Sequence, residues 1–190
     1  DPDTVVNDIR NDWRHLADDL KITASANYLC KNGKPVLQLW GFGFGDRPGN
    51  ADAVASLIND LKICFDGLQA ATFVGGAPTS WRTLLGDSKS EHGWAKVYLS
   101  YDVLSPLFVG RFSDEVDADE FLKDNILLDL AEVKRYDIRY MPVIFPEFSW
   151  YNLMTNRGKK DYAVLNRIPR NFRKFLWRQA SNLLDAHVET

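Results

Sequence analysis

The sequence predicts an α/β fold built on a parallel sheet, and three observations predict it. Four short apolar runs begin near positions 36, 70, 101 and 141, roughly 30 to 40 residues apart, as in repeated βα units. Apolar residues at helical spacing fill the intervals between them. Each run ends in a loop of glycines, aromatics or polar side chains, the layout of an α/β face whose ligand groups sit past the carboxyl ends of the strands. The clearest case is Tyr140-Met-Pro-Val-Ile-Phe-Pro-Glu-Phe-Ser-Trp-Tyr-Asn-Leu153. Met141 to Phe145 reads as a strand buried on both faces. Pro146 cannot donate to a ladder and ends it. Glu147, Trp150, Tyr151 and Asn152 follow at once.

In chain order, residues 1 to 21 predict an amphipathic helix. Asp1-Pro2 opens it, and Val5, Val6, Ile9, Trp13, Leu16 and Leu20 recur on one side. Around Tyr28-Leu29 a further helical turn is one reading, and Asn32-Gly33 marks a turn. Pro35 to Trp40 is the first strand, followed by the glycine-rich loop Gly41 to Gly49. A helix spans about Asn50 to Lys62 on Ala53, Val54, Leu57, Ile58 and Leu61. Ala70 to Val74 is the second strand, with Gly75 to Ser80 as its loop and a helical turn over Trp81 to Leu85. A short helix follows from Trp94 to Ser100. Tyr101 to Ser105 is the third strand, and Pro106 to Phe112 an apolar loop. Asp117 to Tyr136 predicts a long helix with Phe121, Ile126, Leu127, Leu130 and Val133 buried and Lys134-Arg135 against its C-terminal dipole. Asn156 to Asp161 is a basic loop, and a last helix runs from about Arg170 to Ala186.

Composition bounds the function. The chain has 190 residues, 45% hydrophobic and 26% charged, globular values for one domain. A net charge of −3 leaves no basic footprint for nucleic acid. No apolar run approaches the roughly 20 residues that span a bilayer, so no membrane partner is expected. Cys30 and Cys64 lack metal-site spacing, and His15, His92 and His187 sit in unrelated contexts, so neither a metal nor any cofactor is expected. One bridge between the two cysteines is open to the chain. Asp1-Pro2 looks like a trimmed start, so a signal peptide would lie outside this segment, and localisation is not readable from it.

Two architectures fit the βα repeat: a doubly wound sheet, or part of a (β/α)8 barrel. A full barrel takes about 250 residues and eight strands. Four strands with a helix at each end of the chain form a broken-off register, which favours a TIM-barrel-type partial barrel of about four βα units.

Five ordered motifs carry a family resemblance: Pro35 to Phe44, Phe73 to Leu84, Asp102 to Pro106 with Val109-Gly-Arg111, Met141 to Asn152, and Asn166 to Arg170 with Trp177-Arg-Gln179. Together they resemble bacterial proteins related to glycoside hydrolase families 71 and 99. The resemblance implies a (β/α)8 barrel acting on glycans, with these strands the fourth to seventh of eight, and it is compatible with export. It also implies that the catalytic carboxylates come from an acidic last strand, beyond Thr190. The family carries glycine where Glu147 stands and small residues at Phe172 and Arg173. The implied role of this segment is to supply substrate-binding loops. The alternative is a non-catalytic or degenerate carbohydrate-binding barrel.

Glycoside hydrolysis commonly needs two carboxyl groups, about 5–5.5 Å or 6.5–9.5 Å apart. Asp46, Asp102 and Glu147 are the candidates near strand ends, with Asp102 and Glu147 the weak catalytic ones. Asp102 is either an ion-pair partner of an arginine such as Arg82 or Arg111, or a ligand group. Trp40, Trp81, Trp150 and Tyr151 fall at or past strand ends, where flat rings suit the C–H faces of sugars or simply pack the barrel mouth. The expected substrate-binding set is Trp40, Asp46, Trp81, Arg82, Asp102, Arg111, Trp150, Tyr151 and Asn152. Gly41-Phe-Gly-Phe-Gly45 lacks GxGxxG spacing, so its glycines, like Gly75-Gly76, serve positive φ or close approach. The basic run Arg167, Arg170, Arg173, Lys174 and Arg178 reads as a solvated helix face, with Arg178-Gln179 the members that could support loops. An incomplete barrel exposes edges and apolar side chains, so self-association or assembly with the rest of a barrel is expected.

Overall fold

The computed structural model describes residues 2–63, 69–112, 114–143 and 149–165, with the backbone only for residues 2 and 3. The chain forms two compact units, residues 1–107 with 131–141 and residues 108–130 with 142–190. Glu147, the end of the expected strand over Met141 to Phe145, Cys64 and the basic run beyond Asn166 lie outside the described residues.

The first unit holds a curled sheet of five strands in the order β1-β2-β3-β4-β5. They are β1 (Cys30–Lys31), β2 (Lys34–Leu39), β3 (Thr72–Ala77), β4 (Val103–Pro106) and β5 (Arg139–Tyr140). The β2 to β5 ladders are parallel, as the βα repeat predicts. Each crossover advances one place in the same direction, so the order never reverses as it does in a doubly wound sheet.

β1 is an addition to the expected four strands. It pairs antiparallel with β2 through Asn32-Gly33, whose φ values of 52° and 76° belong to a type I′ hairpin turn. The expected helical turn around Tyr28-Leu29 is replaced by the run into this hairpin. The strand boundaries also differ from expectation, by one residue at each end for β2 and by more in the other three. β3 starts two residues later than Ala70 and takes in Gly75 to Ala77. β4 starts at Val103 rather than Tyr101. β5 precedes Met141 instead of starting there, and the proline at 142 has no N–H to extend the ladder.

Helix α1 (Pro2–Arg14) continues into a π-helical turn, His15–Asp19. It buries Val6, Trp13 and Ala17, and the Trp13 indole donates to the Gln69 carbonyl at 2.8 Å. Val5 and Leu20, expected on the same apolar stripe, are exposed. Helix α2 (Ala51–Ile63) is capped by Asn50, whose Oδ1 accepts from Asp52 N and Ala53 N. Its stripe of Val54, Leu57, Ile58 and Leu61 is completely buried. Arg10 ties the two helices by donating to Asp60 at 2.6 Å. Helix α3 (Gly93–Leu99) buries Trp94, Val97 and Tyr98.

β3 is the centre of this unit, buried along its whole length. Register partners in a parallel ladder project to the same side, so the sheet has two definable faces. Leu37, Phe73, Gly75 and Leu104 share the face that meets Tyr101, just past α3. The Phe73 and Tyr101 rings lie 5.2 Å apart, and Tyr98 and Trp94 extend the stack. Val36, Gln38, Val74, Gly76, Val103 and Ser105 share the other face, called distal below.

In the second unit, Asp114 caps α4 (Glu115–Phe121) by accepting from Val116 N and Asp117 N. A π-helical turn, Leu122–Ile126, leads into α5 (Leu127–Arg135), whose residues from Ala131 on belong to the first unit. The expected long helix is thus continuous over residues 115–135 but carries a π-helical turn, and Leu127, expected to be buried, is 46% exposed. Phe121 packs on Phe108 and Phe112 at 4.9 and 5.3 Å. Helices α6 (Trp150–Asn156) and α7 (Tyr162–Leu165) bury Met154 and Leu165.

Candidate functional site

The candidate site lies at the carboxyl ends of β2, β3 and β4 in the first unit. Gly75 and Gly76 fix its geometry. A Cβ on Gly75 would meet the Tyr101 ring at 2.1 Å, and one on Gly76 would meet the Trp40 ring at 2.1 Å. The two glycines therefore seat an aromatic plate on each face of β3. Close approach, not positive φ, is their use, whereas Gly41 and Gly43 do have positive φ. The two plates differ in one respect. Tyr101 is buried, while Trp40, at the end of β2 on the distal face, is 41% exposed.

The loops after β2 and β3 are stitched together by hydrogen bonds. The Asp87 carboxylate accepts from Thr79 N and Ser80 N, both at 2.9 Å. The Asp87 carbonyl accepts from Gly45 N, and Lys89 N donates to the Gly43 carbonyl. The Tyr98 hydroxyl donates to the same carbonyl at 3.0 Å and lies 3.2 Å from Ser88 Oγ. Burial pushes the Tyr98 phenol up to about 12, against the opposing pull of the Ser88 hydrogen bond. Burial also drives the Tyr101 phenol far upward. Burial thus favours the neutral phenol at both positions, and the Tyr98 hydroxyl serves the loops as a donor.

The other expected site residues scatter. Asp46 is highly exposed and lies 3.9 Å from Arg47 on the glycine-rich loop. Trp81, in the turn after β3, is only 2% exposed, so it offers no open platform. Arg82 is half-buried and engaged. Asp102 sits at the amino end of β4, away from the Trp40 end. Its carboxylate accepts from Phe73 N at 2.7 Å and pairs with Lys62 Nζ at 2.9 Å. The paired cation is thus a lysine rather than the arginine expected. At the base of a parallel sheet such a pair reads as stabilising. Arg111, Trp150, Tyr151 and Asn152 belong to the second unit. There the Trp150 indole donates to the Val164 carbonyl at 2.7 Å, and Asn152 N donates to the Ser149 Oγ that caps α6.

Sequence reasoning missed Asp87 and Ser88, which hold the loops. Asp87 and Ser88 lie between the turn over Trp81 to Leu85 and the helix from Trp94, in a polar stretch whose composition does not single them out. Asp87 is already engaged by its loop, and Asp46 stands in solvent beside Arg47. Among the described residues no three His, Cys, Asp or Glu side chains are placed to hold a metal, and no helix is long and apolar enough to cross a membrane. A cavity of about 240 Å³ elsewhere, lined by Val6, Asn7, Arg10, Ala53 and Ser56, has its cation already bonded to Asp60. No family model, curated protein or solved structure matches the chain.

Proposed function

We propose that the chain is part of a glycoside hydrolase-like (β/α)8 barrel and that its share of the work is to bind carbohydrate at the carboxyl ends of β2 to β4. One observation carries this reading: an indole lies flat on Gly76 at a strand's carboxyl end, with 41% of Trp40 left exposed. A pyranose offers an apolar C–H face to such a plate and hydroxyls around its rim, and the neighbouring loops are held in place by the Asp87 and Tyr98 bonds. The one-directional order of β2 to β5 supports a barrel over a doubly wound sheet. The family resemblance supports the glycan.

The catalytic pair would come from elsewhere in such a barrel. Asp102 is committed to Lys62 and the Phe73 amide at the amino end, and Asp46 stands in solvent. That commitment favours the second reading as well, a carbohydrate-binding barrel without turnover. Calorimetric titration with gluco-, manno- and xylo-oligosaccharides, beside product analysis, tests both. Binding that Trp40→Ala abolishes supports the carbohydrate reading, and product formation separates the hydrolase from the binder. Saccharide binding untouched by Trp40→Ala refutes the assigned site.

A further inference from the structure

We propose that the cleft between α1 and α2 is a second ligand site, one that takes a small carboxylate carrying a short apolar chain. It does not rest on the saccharide reading. Val6, Asn7 and Arg10 of α1 and Ala53 and Ser56 of α2 line a cavity of about 240 Å³. At about 30 Å³ for each water-sized group, that is room for roughly eight of them. The lining is sorted by chemistry. Val6 and Ala53 are apolar, while Asn7, Arg10 and Ser56 carry hydrogen-bond donors.

Arg10 is held firmly by one edge only. Its Nε and Nη2 both donate to Asp60 Oδ2, at 3.2 and 2.6 Å. Asp60 is 7% exposed, so the guanidinium is fixed from its buried side, and 23% of the Arg10 side chain stays open to solvent. The remaining two bonds are long: Nη1 donates to Asn7 Oδ1 at 3.3 Å and Nη2 to Ser56 Oγ at 3.4 Å. Both acceptors belong to exposed residues that can turn away. A carboxylate matches a pair of guanidinium N–H groups, with bonds of about 2.7–2.9 Å. It replaces the two long contacts with two short, charge-assisted ones. The Asn7 amide and the Ser56 hydroxyl can then point their own hydrogens at it. The chain of the acid lies along Val6 and Ala53. Phosphate fits less well, because its further oxygens would face those two apolar side chains unpaired. Asp60 limits the affinity, since its charge opposes that of the ligand.

The test is an NMR titration of the full chain with butyrate and hexanoate, beside phosphate and butyramide, which keeps the shape of butyrate without the charge. The backbone amides of residues 6–10 and 53–56 report on the cleft. Hexanoate is expected to bind at about 1 mM, the scale for a ligand of about eight non-hydrogen atoms, and more tightly than butyrate. Butyramide should bind about tenfold more weakly than butyrate, and phosphate about tenfold more weakly than hexanoate. Asn7→Asp sets a second carboxylate at the exposed mouth and should weaken hexanoate about fivefold or more. Asp60→Asn removes the opposing charge and should tighten it by about the same factor. A purely structural Arg10–Asp60 pair gives no reason for that gain. No saturable shift in the cleft with either acid would overturn the site, and so would butyramide binding as tightly as butyrate. Hexanoate affinity unchanged in Asn7→Asp, an exposed substitution that spares the fold, would overturn its location. Phosphate binding as tightly as hexanoate would overturn the apolar chain.

Discussion

Adding one methyl group at Gly75 and at Gly76, separately, should give opposite results from adjacent residues. Each new Cβ would stand 2.1 Å from an aromatic ring, so in each case something must move. At Gly75 the obstacle is Tyr101, 2% exposed and held against Phe73 and Tyr98. It has nowhere to go. Overpacking of that kind costs on the order of 3 kcal/mol. For a chain of this length each kcal/mol is about 2–4 °C of melting temperature, so Gly75→Ala should melt roughly 6–12 °C lower. At Gly76 the obstacle is Trp40, already partly in solvent, which can swing off its seat. The lost contact is offset by the smaller entropy of the unfolded alanine chain, about 0.4–1 kcal/mol. Gly76→Ala should therefore melt within about 3 °C of wild type. Its oligosaccharide affinity should fall by about tenfold or more, because the displaced indole no longer presents a flat platform. Thermal melts by circular dichroism and calorimetric titration read the two effects. Equal losses of stability at the two positions would refute the claim that one plate is fixed and the other soft. A Gly76→Ala chain that binds like wild type would refute the claim that the seat of Trp40 matters.

Three further outcomes follow from the geometry. Asp102→Ala removes the acceptor of Phe73 N and the partner of Lys62, so it should destabilise by about 2 kcal/mol in denaturant melts without altering saccharide affinity. A loss of affinity at unchanged stability would return Asp102 to the ligand site. Tyr98 is raised in the folded state from 10.0 to about 12, so the unfolded chain gives up this proton first. Its contribution to stability is intact below pH 10 and is lost progressively as pH rises through about 12. Tyr98→Phe should cost about 1 kcal/mol at neutral pH, through the lost bond to Gly43, and should fall less steeply across that alkaline range. Identical alkaline slopes would sink this assignment. Finally, β1 and the run before it cover β2 only as far as Val36, which bonds Leu29 and Tyr28, so in the proposed incomplete barrel β1 leaves the edge of β2 past Val36 uncovered. Sedimentation velocity should find dimers or larger species, and a monomer that melts cooperatively would contradict the proposal.

What could be read from the sequence, and what could not, follows from which forces act locally. The β-branched runs marked the parallel strands because a strand buried on both faces must be apolar. They failed at the ends of β3, where Gly75-Gly76-Ala77 has poor strand propensity. Gly75 and Gly76 lie in the ladder against the rings of Tyr101 and Trp40, a tertiary contact that propensity does not contain. The Asn32-Gly33 turn was visible, but its two-residue partner strand has too little pattern to announce itself. At the site, Trp40 was readable because its position past a strand decides its location. Trp81 was equally conspicuous in sequence, yet it is buried, since a loop can fold over a ring as easily as present it. Asp102 shows the same limit. Shifting the start of β4 by two residues moved this carboxylate from within the strand to its amino end, where Lys62 and the Phe73 amide hold it.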